Sequence, residues 1–237
     1  MTYDSARGVV VLFGGSGGSG FLGDTWEWNG TDWVQRSPVN HPTARYVFAM
    51  AYDSAREVVV LYGGGDGWYS NETWEWDGVN WIIRNPVTRP VASVRLSMVY
   101  DSARGVAVLF GGNDYDYRYD DTWEWDGTNW ILRSLTSNPA PRNEHAMAYD
   151  SDRDVVVLFG GTTDNDELLY DTWIYAPLVP RPVLYPIENI DGDGEYLIEW
   201  STVGVATSYT LEEDDSALFL SPTVRYQGDQ TEFQVLL

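Results

Sequence analysis

The sequence predicts an all-β fold assembled from four copies of one antiparallel unit, and three observations predict it. Tyr-Asp-Ser-Ala-Arg begins at Tyr3, Tyr52 and Tyr100, with Tyr-Asp-Ser-Asp-Arg at Tyr149, in steps of 49, 48 and 49 residues. Thr-Trp-Glu-Trp begins at Thr25, Thr73 and Thr122, with Thr-Trp-Ile-Tyr at Thr172, in steps of 48, 49 and 50. Between these markers lie short runs of β-branched residues, each closed by Gly-Gly. A fixed period of this length marks a stacked or circular array of one supersecondary unit.

Each unit reads as four strands, A to D. Strand A covers segments such as His145 to Tyr149, and a tight turn over Asp-Ser-Ala-Arg leads into strand B. Strand B is Val9 to Phe13, Val58 to Tyr62, Val106 to Phe110 and Val155 to Phe159. Unbroken apolar runs of this kind suit strands covered on both faces. The glycines that follow permit close packing and backbone angles that a side chain would block. Strand C carries Trp26 and Trp28, Trp74 and Trp76, or Trp123 and Trp125, and an Asn-Gly or Asp-Gly turn returns the chain to Trp33, Trp81 or Trp130 on strand D. Ten of the 12 tryptophans occupy such repeated positions, so packing between units accounts for nearly all of them.

The string VVVLFGG, a variable insert, then DTWEWDGTNW, with an Arg some residues later, resembles the kelch repeat. The resemblance covers residues 1–176 and implies four four-stranded blades of a β-propeller. The ends depart from the pattern. The first blade has only a stub of strand A before Tyr3, and the fourth runs from Trp173 and Tyr175 into Ala176 and Pro177 with no Asp-Gly turn and no strand D. Kelch rings usually hold more than four blades, although four-bladed propellers of other kinds exist. An incomplete ring, and a fragment of a longer protein, is the expectation these breaks set.

A Pro-rich linker follows at 177–186, with Pro177, Pro180, Pro182 and Pro186, and residues 187–237 have a new composition. Tyr196 to Trp200 followed by Ala206 to Leu211 resembles the first half of a fibronectin type III domain. Such a β-sandwich needs roughly 100 residues, so this one is expected to be partial.

Composition narrows the function. With 14 Lys and Arg against 36 Asp and Glu, a formal net charge of -22, the chain is a poor partner for nucleic acid or an anionic membrane surface. There is no cysteine, hence no disulfide, thiolate zinc site or cysteine nucleophile. No apolar run approaches the roughly 18 residues of a membrane span. The N-terminus opens inside repeated sequence without a signal-like segment, so an export signal would lie upstream.

Antiparallel blades put the A–B and C–D turns on one propeller face and the B–C and D–A connections on the other. The turns are nearly identical among units, whereas the B–C loops vary, and variable loops on a rigid scaffold are where specificity sits. The first blade offers a flexible segment from Ser16 to Gly20. The second offers Asp66, Trp68 and Tyr69. The third offers Asp114, Tyr115, Asp116, Tyr117, Arg118, Tyr119 and Asp120; the fourth offers Asp164, Asn165, Asp166 and Glu167. Trp68 is the one tryptophan of the repeat region outside the repeated positions. Aromatic rings beside carboxylates suit a sugar or a protein partner, and solvated loops without a ligand are the competing reading.

Chemistry beyond binding finds little support. Asn189, Asp191, Asp193 and Gly194 follow the start of an EF-hand calcium loop, but its twelfth position is Trp200, so a polar hairpin turn is the reading and no cofactor is expected. Of the two histidines, His41 and His145, the latter is expected to be structural. The kelch-type copper oxidases need a cross-linked cysteine that is missing here, and Trp-Asp-Gly-Thr-Asn-Trp does not reproduce the sialidase Asp box. No carboxylate pair is singled out for glycoside hydrolysis. Asn29 and Asn71 begin glycosylation patterns that chance explains. The expectation is a non-catalytic binding or scaffold protein, secreted or at the cell surface, taking a protein or carbohydrate through its B–C loops. An intracellular protein-interaction propeller and a carbohydrate-active enzyme are the alternatives.

Overall fold

The structure is a computed structural model. It describes Met1–Ala176 and, beyond them, four strands: Glu195–Glu199, Tyr209–Leu211, Tyr226–Gly228 and Glu232–Leu236. The chain divides into two compact units at Ala176.

The first unit contains four antiparallel sheets. Strands β1 (Thr2–Asp4), β2 (Val9–Gly17), β3 (Gly20–Trp28) and β4 (Trp33–Arg36) form blade 1. Strands β5 (Ala49–Asp53), β6 (Val58–Tyr62), β7 (Thr73–Trp76) and β8 (Trp81–Arg84) form blade 2. Blade 3 is β9 (Ser97–Asp101), β10 (Val106–Phe110), β11 (Thr122–Trp125) and β12 (Trp130–Arg133). Blade 4 has three strands, β13 (Ala146–Asp150), β14 (Val155–Phe159) and β15 (Thr172–Tyr175). Each sheet runs in sequence order, A to D, as the repeat predicts. Blade 4 has no fourth strand among the described residues, as the absence of an Asp-Gly turn after Tyr175 in the sequence predicts. The Ser16 to Gly20 segment is corrected: the β2–β3 ladder continues past a bulge between Phe13 and Gly15 to the pair Gly17 and Gly20, making a long hairpin.

Turn chemistry sets the register. In blade 2 the Asp77 carboxylate accepts from the N–H groups of Val79 and Asn80, closing a loop that places Trp76 opposite Trp81. Asp126 does the same before Trp130. Gly78 and Gly127 have φ of 95° and 92°, a region that disfavours side chains.

Blades pack face to face. Between blades 1 and 2, Val11 and Phe13 meet Tyr52, Leu61, Trp76 and Trp81. Between blades 2 and 3, Ala49, Ala51, Val60 and Tyr62 meet Met98, Leu109, Trp125 and Trp130. A polar ladder runs through these interfaces. Trp76 Nε1 donates to Glu27 Oε1 at 3.1 Å, Trp125 Nε1 to Glu75 Oε1 at 2.9 Å, and the Tyr175 hydroxyl to Glu124 Oε1 at 2.7 Å. Each of these buried glutamates also pairs with two arginines of its own blade, Glu75 with Arg56 and Arg84, Glu124 with Arg104 and Arg133. A buried carboxylate is tolerated only when so compensated.

The second unit shows two antiparallel pairs, β16 (Glu195–Glu199) with β19 (Glu232–Leu236) and β17 (Tyr209–Leu211) with β18 (Tyr226–Gly228). The expected Pro-rich linker at 177–186 and the EF-hand-like segment at 189–194 lie outside the described residues.

Candidate binding face

The D–A and B–C connections meet at one end of the blades. Gly65 bridges to Tyr46 and Tyr69, Asn113 to Val94 and Arg118, and Thr162 to Asn143 and Leu168. Three D–A residues hold positive φ, Val47 at 50°, Arg95 at 55° and Glu144 at 57°. They form a backbone chain from blade to blade, Arg95 N–H to Val47 O at 2.9 Å and Glu144 N–H to Arg95 O at 3.0 Å.

Buried arginines seat the loops. Arg45 donates to Gly63 O at 3.2 Å and to Glu72 at 2.6 Å in blade 2, while its own carbonyl accepts from Gly15 N–H of blade 1 at 2.8 Å. Arg142 repeats this with Gly160 O, Asp171 and Gly112 N–H. Ser93 replaces the arginine between blades 2 and 3 and keeps the backbone half, Gly64 N–H to Ser93 O at 3.0 Å. At the acidic position of blade 3, burial and the neighbouring Asp120 charge hold the Asp121 carboxyl above its ordinary range.

The B–C loops then join one another. Tyr69 of blade 2 stacks on Tyr115 of blade 3, centroids 4.2 Å apart and planes at 8°, and the Tyr115 hydroxyl donates to Gly67 O at 2.6 Å. Arg118 of blade 3 pairs with Asp166 at 2.8 Å and Asp164 at 3.4 Å in blade 4. In blade 1, Phe21 stacks on Tyr46 at 4.8 Å.

The candidate residues therefore take different roles. Asp114 organises its own loop, accepting from the N–H groups of Asp116 and Tyr117, both at 2.8 Å, and from the Tyr119 hydroxyl. Burial would raise the Asp114 carboxyl, but these hydrogen bonds outweigh it and hold the group below its ordinary range, while burial and Asp114 push Tyr119 up. Tyr69, Arg118 and Tyr119 are half-buried and spent on loop structure. Trp68, 81% exposed, with Tyr115, Tyr117, Asp116, Asp164 and Asp166, forms the outer surface. Sequence reading missed the exposed Leu168 and Tyr170, which follow the acids of the blade 4 loop, and Phe21 and Leu22 at the blade 1 hairpin.

His145 is buried, its ring edge-on to Phe110 at 5.5 Å; burial and the Arg142 charge lower its pKa to about 4. Phe48 and Leu96 stand at the corresponding positions of the earlier interfaces, which fits the structural role expected. Among the described residues, no group of three or more His, Cys, Asp or Glu is arranged to hold a metal ion, and no helix is long and apolar enough to cross a membrane.

Residues 30–179 match the family model described as the KLHDC2/KLHL20/DRC7 Kelch-repeats domain. The chain belongs to this kelch-repeat family. No curated protein sequence matches the kelch chain. Among solved structures, it is similar to one titled "Structure of YjhT" at 14% identity and a TM-score of 0.52, over 65% of this chain and 48% of that one. At that identity the likeness concerns the propeller fold alone, and the match spans about half the length of the solved chain.

Proposed function

We propose that this kelch unit is a non-catalytic scaffold that binds a protein partner across the outer surface of its B–C loops. The observation that carries the reading is the fusion of three loops. The Tyr69–Tyr115 stack and the Arg118 pairs with Asp164 and Asp166 tie blades 2, 3 and 4 into one face, so Trp68 and Tyr117 are held on an ordered support. Exposed aromatics on a rigid base are good anchors for recognition because little side-chain entropy is lost on contact. A carbohydrate ligand is the second reading, favoured by the exposure of the Trp68 ring beside acids that accept hydroxyl hydrogens. A secreted or cell-surface setting belongs to the proposal, with the segment past residue 186 as a fibronectin-like spacer; its support is the joining of kelch repeats to a second β unit.

Selection of binders from a displayed protein-fragment library on the intact chain, with a glycan array run in parallel, tests this. Trp68→Ala with Tyr117→Ala is expected to weaken the selected ligand at least tenfold while leaving thermal unfolding unchanged. Ligands that bind the double variant as tightly as the wild type would place recognition elsewhere.

A further inference from the structure

The joint between blades 2 and 3 lacks a strut that the joints on either side possess. Arg45 lays its guanidinium between Gly63 O at 3.2 Å and the Glu72 carboxylate at 2.6 Å. Arg142 lays its own between Gly160 O at 2.9 Å and the two carboxylate oxygens of Asp171 at 2.6 and 2.9 Å. An indole N–H completes each carboxylate, from Trp74 at 3.0 Å and from Trp173 at 2.6 Å. The matching acceptors in blade 3 are Gly111 O and Asp121, and Ser93 stands where the arginine stands elsewhere.

The frame around them is the same in every joint. Gly111 N–H donates to Asp121 O at 3.2 Å, as Gly63 does to Glu72 O at 3.4 Å and Gly160 to Asp171 O at 3.2 Å. Gly64 N–H donates to Ser93 O at 3.0 Å, as Gly112 does to Arg142 O at 2.9 Å. The Ser93 hydroxyl turns back to Val91 O at 3.2 Å, and Tyr119, at the position of Ser70, sends its hydroxyl to Asp114. Among the described residues, no cation and no side-chain donor meets the Asp121 carboxylate, which lies half-buried beside Asp120. The three carboxyls respond accordingly. Arg142 holds Asp171 well below the ordinary range, and at Glu72 the Trp74 and Arg45 contacts outweigh burial in the same direction. Asp121, under burial and a like charge, is held above it.

We infer that the partner of the loop face completes this joint with an arginine, its guanidinium lying between Gly111 O and Asp121 as those of Arg45 and Arg142 lie in the neighbouring joints. The inference rests on the reading of that face as a protein-binding surface and names the partner's chemistry. Asp121 ends the same B–C loop that carries Tyr117 and Asp120, so it belongs to that surface. A planar guanidinium can bridge a carbonyl and a carboxylate at once, which the point charge of a lysine does less well. The net charge of -22 favours the approach of a cationic partner.

Titration of methylguanidinium into the full 237-residue chain, followed through the amide resonances of Gly111 and Asp121, tests the site. A saturable shift of both is expected, with methylammonium at least tenfold weaker. Asp121→Asn should remove the shift. Ser93→Arg should remove it as well, because the chain then supplies its own strut, and this variant serves where Asp121→Asn unfolds. Peptides selected on the intact chain from a displayed random library test the partner. Those that Trp68→Ala with Tyr117→Ala weakens are expected to carry an arginine whose replacement by lysine costs roughly tenfold on the wild type and nothing on Ser93→Arg. No saturable shift at Gly111 and Asp121, or a shift that survives both variants, overturns the inference. Face-binding peptides that tolerate replacement of every arginine also overturn it and leave the face as a protein-binding surface. A methylguanidinium site on a chain whose selected peptides ignore the face would instead overturn that reading and the inference with it, leaving a site for a free guanidinium compound.

Discussion

At the scale of the residue, His145 shows how one departure from the repeat makes stability depend on pH. Its ring sits where Phe48 and Leu96 sit, and burial beside Arg142 keeps it neutral, with a pKa near 4 against an ordinary value of 6.5. A group whose folded pKa is lowered contributes fully above its unfolded pKa. As pH falls from about 6.5 toward 4, the unfolded chain takes up a proton that the folded chain refuses, and stability is lost. His145→Leu removes this penalty without changing the packing class of the site. Urea unfolding is expected to show the variant roughly 1–3 kcal/mol more stable than wild type at pH 4.5, with a much smaller difference at pH 7. An equal pH dependence in both proteins would show that the penalty lies elsewhere, for instance in Glu72 and Glu124. In those groups hydrogen bonds and ion pairs outweigh burial and lower the pKa, and their contribution is lost only below the ordinary carboxylate range.

At the scale of the element, the repeated Trp-Glu-Trp strand holds adjacent blades together from both sides. Its tryptophans face the preceding blade, and its glutamate faces the following one, where it accepts an indole N–H. Glu75→Ala leaves Arg56, Arg84 and Trp125 Nε1 without their shared acceptor. Chemical denaturation is expected to show a loss of roughly 3 kcal/mol or more, with Trp125 fluorescence reporting the opened joint. A loss within 0.5 kcal/mol of zero would mean that water replaces the carboxylate. The strands themselves were legible in the sequence because period, β-branched runs and Asp-Gly turns agree with one another. The role of the glutamate was not. A charged residue between aromatics reads as the solvent side of an alternating strand, and only the neighbouring blade shows it to be an interior acceptor. The same holds for Arg45 and Arg142, which nothing in the sequence marks as the struts beneath the loops. The loops divide likewise. Trp68 stood out because it breaks the repeat, and it is the most exposed ring of the face. The Tyr69–Tyr115 stack and the Arg118 pairs depend on partners some 46 to 48 residues away, which no local pattern announces.

At the scale of the molecule, stability and recognition are assigned to opposite properties of the repeat. Positions that agree among blades build the joints, and positions that differ gather at the B–C loop end, where the blades hold them in fixed relation. Repeat arrays gain their stability largely from units and nearest-neighbour interfaces, so loop variation is tolerated as long as the joints persist. Hydrogen exchange of the intact chain, alone and with a ligand selected on it, tests this division most directly. Protection on binding is predicted for residues 65–70, 113–120 and 162–169, with the A–B turns and the Asp77 and Asp126 turns unchanged. Protection confined to those turns, with the B–C loops exchanging as they do in the free protein, would contradict the assignment of the binding face.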